Sequence, residues 1–440
     1  MKIMKRNRLF IYLLLLLPAL VMQSCLKNQE DFFEEPSSER LANFNANAYN
    51  TLRSSENGWV LDYYPGSGAQ YGGVSMVVKF DSLQATFYSE FTSSDESVTS
   101  YYKMTNEAGA TIIFDTYNDI LHYFSEGTSS RYQAMGGDIE FVIDSIGEDV
   151  VKVHGARSRN TMYFRRLAKA PEEYIAEVQA VAGDFVYGKY KGNWGGQDVD
   201  VTLDLNNYQV SFAVQGAEEV TTVSTAFCLT DYGMRLYKPV TVNGVTLTDF
   251  DFDYDAGTLS ARNVATPVVL QGELPEGYRK FAEYEGDYTL TYNKGTKSVK
   301  VHLTPDEANS CYYMTGLFAN KPDVPVVVTY SKSEGNLMIC SQMVGLTSSN
   351  QVWICAWDTT SGNLTWNTSA GVKSVWNGDE ENPSYSFVNN GLTTYAIDSF
   401  IMWTLNAAGT ASTGQYSGTD YKINNSAQMA FWVSLAKIKE

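Results

Sequence analysis

Between positions 198 and 214 the chain alternates with a period of two. Val199, Val201, Leu203 and Leu205 are interleaved with Asp198, Asp200, Thr202 and Asp204, and after Asn206-Asn207 the series resumes as Tyr208, Val210, Phe212 and Val214. A helix would scatter such residues around its circumference, whereas a strand places them all on one face. Asn206-Asn207 reads as a two-residue turn, which makes the segment an antiparallel hairpin with one wet face. Shorter runs of the same kind recur at 75–80, 85–90, 139–144, 150–154, 162–165, 299–303, 326–330 and 400–405. With turn-forming Gly, Asn and Asp between them, they predict an all-β protein: two or three antiparallel β-sandwich or barrel-like domains with two short helices.

The first helix starts at Pro36, carries Leu41, Phe44, Ala48 and Leu52 on one face and stops by Gly58. The second opens at Pro171-Glu172-Glu173, with Tyr174, Ile175, Val178 and Val181 as its stripe and an end near Gly183, placed to join two β units or to plug one. A linker-like stretch, Glu273-Leu274-Pro275-Glu276-Gly277, follows later. The expected division is 1–24 (signal peptide), 25–36 (tether), 37–183 (N-terminal β domain with its leading helix), 184–275 (a second β unit, separate or continuous with the first) and 279–440 (C-terminal β domain). Tyr190-Lys191-Gly192-Asn193-Trp194 and Tyr284-Glu285-Gly286-Asp287-Tyr288 open the last two units alike, with a strand glycine that admits a close neighbour. A duplicated barrel-like unit is one reading of this likeness.

Lys2, Lys5, Arg6 and Arg8 precede thirteen residues, 9–21, that are too few to span a bilayer, and Met22-Gln23-Ser24-Cys25 follows. This is the layout of a lipoprotein signal with Cys25 as the lipidated residue. The acidic stretch Leu26-Lys27-Asn28-Gln29-Glu30-Asp31 with Glu34-Glu35 resembles the tag that directs Bacteroidetes lipoproteins to the outer face of the outer membrane. Removing residues 1–24 takes four positive charges and no negative ones from a net charge of -18, leaving -22. A chain this acidic, with no basic run, is not expected to bind nucleic acid. Cys228, Cys311, Cys340 and Cys355 show no metal-ligand spacing and lie in apolar runs, so they read as buried free thiols, with one disulfide among Cys311, Cys340 and Cys355 as the alternative.

Asn57-Gly58-Trp59, Asp62-Tyr63-Tyr64-Pro65, Tyr71-Gly72-Gly73, Thr116-Tyr117-Asn118, Leu121-His122-Tyr123-Phe124 and Gly136-Gly137-Asp138-Ile139-Glu140-Phe141 are distinctive aromatic and glycine clusters. Through them, slightly more than half of the chain resembles a family of Bacteroidetes lipoproteins called domain of unknown function 4302. The resemblance implies an accessory surface lipoprotein beside a SusC/SusD-like importer, and it names no cargo. From about Phe281 onward the chain is similar only in a generic way to the β-rich tail modules of such lipoproteins.

Strand alternation places His154 with Lys152 and His302 with Lys300 on the surface, while His122 sits in an apolar run as a hydrogen-bonded core residue. No catalytic motif is present, and no cofactor or metal is expected. Asp249, Asp251, Asp253 and Asp255 alternate with Phe250, Phe252 and Tyr254 as the wet face of a strand and lack the glycine and glutamate of a calcium loop. Asn377-Gly378-Asp379-Glu380-Glu381 reads as a solvated turn. Six of the eight tryptophans lie beyond position 350. Trp353, Trp357, Trp403 and Trp432 stand in apolar runs and read as core, which leaves Trp366 and Trp376, among Asn, Thr, Ser and Gly, as the candidate ligand contacts. The expected function is that of a non-catalytic outer-membrane lipoprotein, held by its lipid anchor, that binds a glycan or peptide nutrient or scaffolds the importer. The alternatives are a structural adhesin or envelope component, and a glycan hydrolase with an unidentified carboxylate pair.

Overall fold

The computed structural model describes residues 36–106, 109–132, 134–216 and 218–439. Cys25, the signal segment and most of the tether lie outside the described residues. Nearly all of the rest is antiparallel β-structure. The first sheet has nine strands in the spatial order Val98–Tyr101, Gln84–Ser89, Val74–Phe80, Trp59–Tyr63, Thr161–Arg166, Val150–Gly155, Glu140–Ile146, Thr111–Ile113 and Lys103–Thr105. Its two outermost strands are consecutive in the chain and joined only through Tyr102, so the sheet curls into a nearly closed barrel. Helix α1 (Ser37–Arg53) packs against it, with Ala48 and Leu52 wholly buried in the same core as Trp59, Leu61, Phe141 and Phe164. The Trp59 indole N–H donates to Leu52 O at 2.7 Å, fastening the end of α1 to the first strand.

A one-turn helix absent from the expectation, α2 (Asp119–His122), interrupts the long connection between Thr111–Ile113 and Glu140–Ile146. Helix α3 (Pro171–Asp184) buries Tyr174, Ile175 and Val178 in the next core, together with Val60 and Val77 of the first sheet. It therefore joins the two β units.

The second unit is a closed eight-stranded barrel running in chain order from Lys189–Trp194 to Val269–Glu273, which pair to seal it. Gly192 is required at that seam, because a Cβ there would lie 2.6 Å from Val269 O. The predicted hairpin is present, but Asp204 pairs with Gln209, so its connection is four residues long rather than two. Asp204 Oδ1 accepts the N–H groups of Asn206 and Asn207, and Tyr208 takes φ +45°. The aspartate thus builds a wider turn than Asn-Asn alone would make.

Between the two units lies a buried ionic cluster. Asp62, 1 % exposed, accepts from Arg165 Nε at 3.2 Å and from Arg235 Nη1, while Arg235 Nε reaches Asp249 at 2.7 Å. Glycines of the Tyr71-Gly72-Gly73 motif press on the same barrel. A Cβ on Gly72, at φ +75°, would lie 2.5 Å from Asn207 O, and one on Gly73 would lie 2.5 Å from Cys228 Cβ.

The third unit is a second closed eight-stranded barrel, from Gly286–Tyr292 to Ser434–Lys437. An additional six-stranded sheet shares its core: Gln342–Leu346, Asn350–Trp357, Ser399–Asn406 and Ser412–Gln415 lie side by side, and the short strands Leu364–Thr365 and Gln428–Met429 pair with the second and third of them. That sheet corrects one expectation. Trp353 and Trp357 do share a face with Cys355, but the core takes the opposite face through Val352, Ile354 and Ala356, and Trp353, Trp357 and Trp403 are half-buried. Trp432 alone of those four is core. Cys228, Cys311, Cys340 and Cys355 are free thiols, so the disulfide alternative is not realised, and Cys340 is half-buried rather than buried. Among the described residues no helix is long and apolar enough to cross a membrane.

Candidate functional site

The two tryptophans singled out by sequence occupy different surroundings. Trp366 is 36 % exposed and follows Leu364–Thr365, a short strand of the additional sheet. Trp376 ends barrel strand Gly371–Trp376, and the Arg279 guanidinium lies 4.4 Å from its ring centroid, held there by Glu283 and Glu380. One face of that ring is therefore occupied by the protein itself.

The most developed concave surface is in the first unit, around residues 114–139. Connections of this length are uncommon in compact domains and usually carry function. Asn118 organises it: its Oδ1 accepts the N–H groups of Ile120 and Leu121, its Nδ2 donates to Val98 O and Ser100 Oγ, and its own N–H donates to His122 Nδ1 at 3.2 Å. Because Nδ1 accepts, the proton of the neutral imidazole sits on Nε2, which makes the buried His122 a donor.

The far end of the connection is held as tightly. Phe124 O accepts from Met135 N and Gly137 N, and Gly66 N donates to Gly136 O. The Tyr63 hydroxyl accepts the Asp138 N–H at 2.8 Å and donates to Asp138 O at 3.1 Å. Burial, with the nearby Asp138 charge adding to it, raises the Tyr63 phenol far above its ordinary range, so it is a permanent hydroxyl. Asp138 Oδ1 then accepts from Arg157 N and Ser158 N, aligning a second loop. A Cβ on Gly137 would lie 2.5 Å from the Tyr63 hydroxyl and 2.6 Å from Phe124 Cβ.

Three clefts open around this base. One of about 560 Å³ has His122, Glu126, Asp138, Glu140 and Arg157 in its wall. A second of about 650 Å³ is lined by Gln70, Tyr71, Tyr132, Arg157 and Ser158. A third of about 640 Å³ is the most apolar, with Phe91, Ile120, Tyr123, Phe124 and Met135 beside Glu96 and Arg131. Tyr132 is 92 % exposed, Phe91 is 64 % exposed, and Tyr71, Tyr117 and Tyr123 are exposed as well. Aromatic rings over a floor fixed by buried hydrogen bonds, with carboxylates, an amide and guanidinium groups between them, can stack on apolar faces and hydrogen-bond polar edges of a ligand.

Sequence reasoning noted Tyr71, Tyr117, Asn118, Tyr123, Phe124 and Asp138 as family markers, did not single out Phe91 or Tyr132, and recognised none of them as a site. The available signal was the length of the connection and its concentration of Tyr and Gly. His122 is buried and hydrogen-bonded as expected. His302 is exposed and His154 half-buried, each beside an aspartate, Asp287 at 2.7 Å and Asp144 at 2.8 Å. Asp251 and Asp253 are exposed on strand Val245–Asp253, but Asp255 lies in the turn that follows it and Asp249 turns into the ionic cluster. In the loop 377–381, Asp379 Oδ1 accepts the N–H groups of Glu381 and Asn382 and closes a turn.

No curated protein matches the chain. Among solved structures, the beta subunit from DNA polymerase of Streptococcus pyogenes is 11 % identical over 81 % of this chain and 97 % of that one, with a TM-score of 0.09. A protein from Eubacterium rectale described as a DNA polymerase III beta subunit is 7 % identical over 78 % of this chain and 94 % of that one, with a TM-score of 0.10. Neither likeness bears on the fold or function of this chain. Residues 263–403, for which the sequence had given a generic likeness only from about Phe281 onward, match a second family described as a domain of unknown function (DUF4987). Residues 29–254, which hold the ionic cluster and all three clefts, match the domain of unknown function DUF4302, and the chain belongs to that family.

Proposed function

We propose that this protein is a non-catalytic, lipid-anchored lipoprotein of the bacterial outer membrane that captures a glycan or oligopeptide for an importer, with the clefts around residues 114–139 as its ligand site. The observation that carries the reading is the presence of four exposed aromatic side chains, Tyr71, Phe91, Tyr123 and Tyr132, in the walls of clefts whose floor is pinned by Asn118, Tyr63 and Asp138. Rigid aromatic contacts lose little entropy on binding, and a membrane tether raises the local concentration of even a weak site. The anchor reading rests on the basic, apolar and Cys25 sequence at the start of the chain.

Affinity isolation of the lipidated protein from mildly solubilised outer membranes, followed by glycan and peptide arrays, tests the proposal. Recovery of an importer and array binding that Tyr132→Ala and Phe91→Ala abolish would support it. Release of Cys25→Ala into the soluble fraction would support the anchor. Failure of both partner recovery and array binding would overturn the capture reading.

The hydrolase alternative has one observation in its favour, the carboxylates of Glu126 and Glu140 in one cleft wall. Cleavage of a bound glycan that is lost in both Glu126→Gln and Glu140→Gln would establish it instead.

A further inference from the structure

We infer that the additional C-terminal sheet carries a second binding surface, a flat aromatic ledge for a neutral glycan chain. This surface is independent of the clefts in the first unit. The strand register sets Met343 opposite Trp353, Trp353 opposite Trp403, and Trp403 opposite Gln415. Directly paired residues of antiparallel strands project from the same face, so these four side chains form one row across four strands. At the ordinary strand spacing the row spans about 14 Å. The opposite face, through Val352, Ile354, Phe400 and Met402, is buried in the core; on the row's own face Met343 and Gln415 are exposed, while Cys355, Ile401 and Leu405 beside the indoles are buried. Met343 is 49 % exposed, and both tryptophans keep part of their surface open.

The indoles are fixed in the unliganded protein. Trp353 Nε1 donates to Gln351 Oε1 at 2.8 Å, and Gln351 Nε2 is itself tied to Ala407 O at 3.0 Å. Trp403 Nε1 donates to Ser412 Oγ at 2.8 Å. Both ring N–H groups are satisfied and both ring poses are set, so a ligand stacking on them has little ordering left to impose.

Charge defines the ligand class. The chain has 50 acidic and 32 basic residues, yet neither 335–357 nor 399–419, which supply the four strands that carry the row, contains a single one. An anionic polysaccharide would meet a single cation, Lys422, which lines a cleft with Gln415 at one end of the row, and the strands themselves offer a charged peptide no counter-charge. The hydroxyls of a neutral glycan would meet the amides of Gln351 and Gln415 and the hydroxyl of Ser412, while its C–H faces would cover the rings. The clefts of the first unit differ in carrying Arg131, Arg157, Glu96 and Glu126.

The test is affinity electrophoresis of the full chain from residue 25 through gels containing mannan, arabinoxylan or starch as neutral probes and polygalacturonate as the acidic comparator. Retardation by at least one neutral polymer is expected. It should fall about tenfold or more in Trp353→Ala/Trp403→Ala and survive in large part in Trp353→Phe/Trp403→Phe. Tyr132→Ala should leave it unchanged, which separates this surface from the clefts. Thermal unfolding of each variant verifies the fold, and the Phe pair keeps the test valid if the Ala pair fails to fold. Absence of retardation by every neutral polymer, or equal retardation in all variants, would overturn the inference. So would sedimentation showing that the unaltered chain self-associates and the Ala pair does not, which would assign the face to a second copy.

Discussion

Arg235 Nη1 lies 3.0 and 2.9 Å from the two carboxylate oxygens of Asp62, a residue 173 positions earlier in the chain. This contact fastens the first β unit to the eight-stranded barrel, because Asp62 belongs to strand Trp59–Tyr63 and Arg235 to strand Gly233–Val242. The rest of the guanidinium is also taken up, with Nε on Asp249 and Nη2 on the Tyr232 hydroxyl at 2.6 Å. Burial alone would raise the Asp249 carboxyl, but Arg235 and the Tyr232 hydroxyl outweigh it and hold that carboxyl below its usual range.

Removing one partner of such a buried pair strands the other in a poorly solvated site. Asp62→Ala should therefore destabilise the protein by about 3–5 kcal/mol in urea unfolding. Asp62→Ala/Arg235→Met should lose less than the two single variants add up to, because the second change removes the stranded charge. Strict additivity would show that the two groups are not coupled.

Glu90 behaves in the opposite sense. Although the residue as a whole is half-buried, its carboxylate is sealed: among the described residues Oε1 accepts only from Ser75 N at 3.3 Å, and Oε2 has no partner. Burial pushes its pKa up to about 8. Since this folded value lies above the unfolded one, near 4.5, the protonated form favours folding, and stability declines as pH rises from about 4.5 to 8. Glu90→Gln mimics the protonated form. It should raise stability at pH 7 by up to about 3 kcal/mol and make no comparable difference at pH 4. Denaturant titrations at the two pH values check this, and an equal effect at both would disprove it.

The strands were legible because a period of two survives wherever one face is wet, as in the hairpin Gln197–Asp204 and Gln209–Gln215. Alternation loses its meaning where both faces are apolar. In Asn350–Trp357 it separates Val352, Ile354 and Ala356 from Trp353, Cys355 and Trp357 correctly, but it cannot say which set the core takes. The packing of the neighbouring barrel decides that. The clefts were illegible for another reason. Tyr117, Tyr123 and Tyr132 are three of 30 tyrosines, and only the long-range ties of Tyr63 to Asp138 and of Gly66 to Gly136 turn their connection into a surface.

Those ties predict a separation of stability from binding. Gly137→Ala drives a methyl group into the Tyr63 hydroxyl and Phe124, so it should cost about 1–3 kcal/mol and disturb the clefts together. Tyr132→Ala removes an exposed ring and should change stability by less than about 0.5 kcal/mol. Thermal unfolding of both variants beside array binding checks the contrast. A large stability loss in Tyr132→Ala would mean that the ring is structural.

Thiol reactivity should follow burial rather than compartment. Burial pushes the Cys355 thiol up to about 12, and burial followed by the Asp62 charge raises Cys228 well above its ordinary value. Cys340 is also raised, but it is half-buried at the end of strand Asn336–Cys340, where its sulfur lies 3.4 Å from Ser369 O. Thiolates are the reactive species, so alkylation of the native protein at pH 8 should label Cys340 first and leave Cys228 and Cys355 unlabelled until denaturant is added. Peptide mass spectrometry after timed alkylation measures the order. Early labelling of Cys355 would show that its strand opens far more readily than its wholly buried position allows.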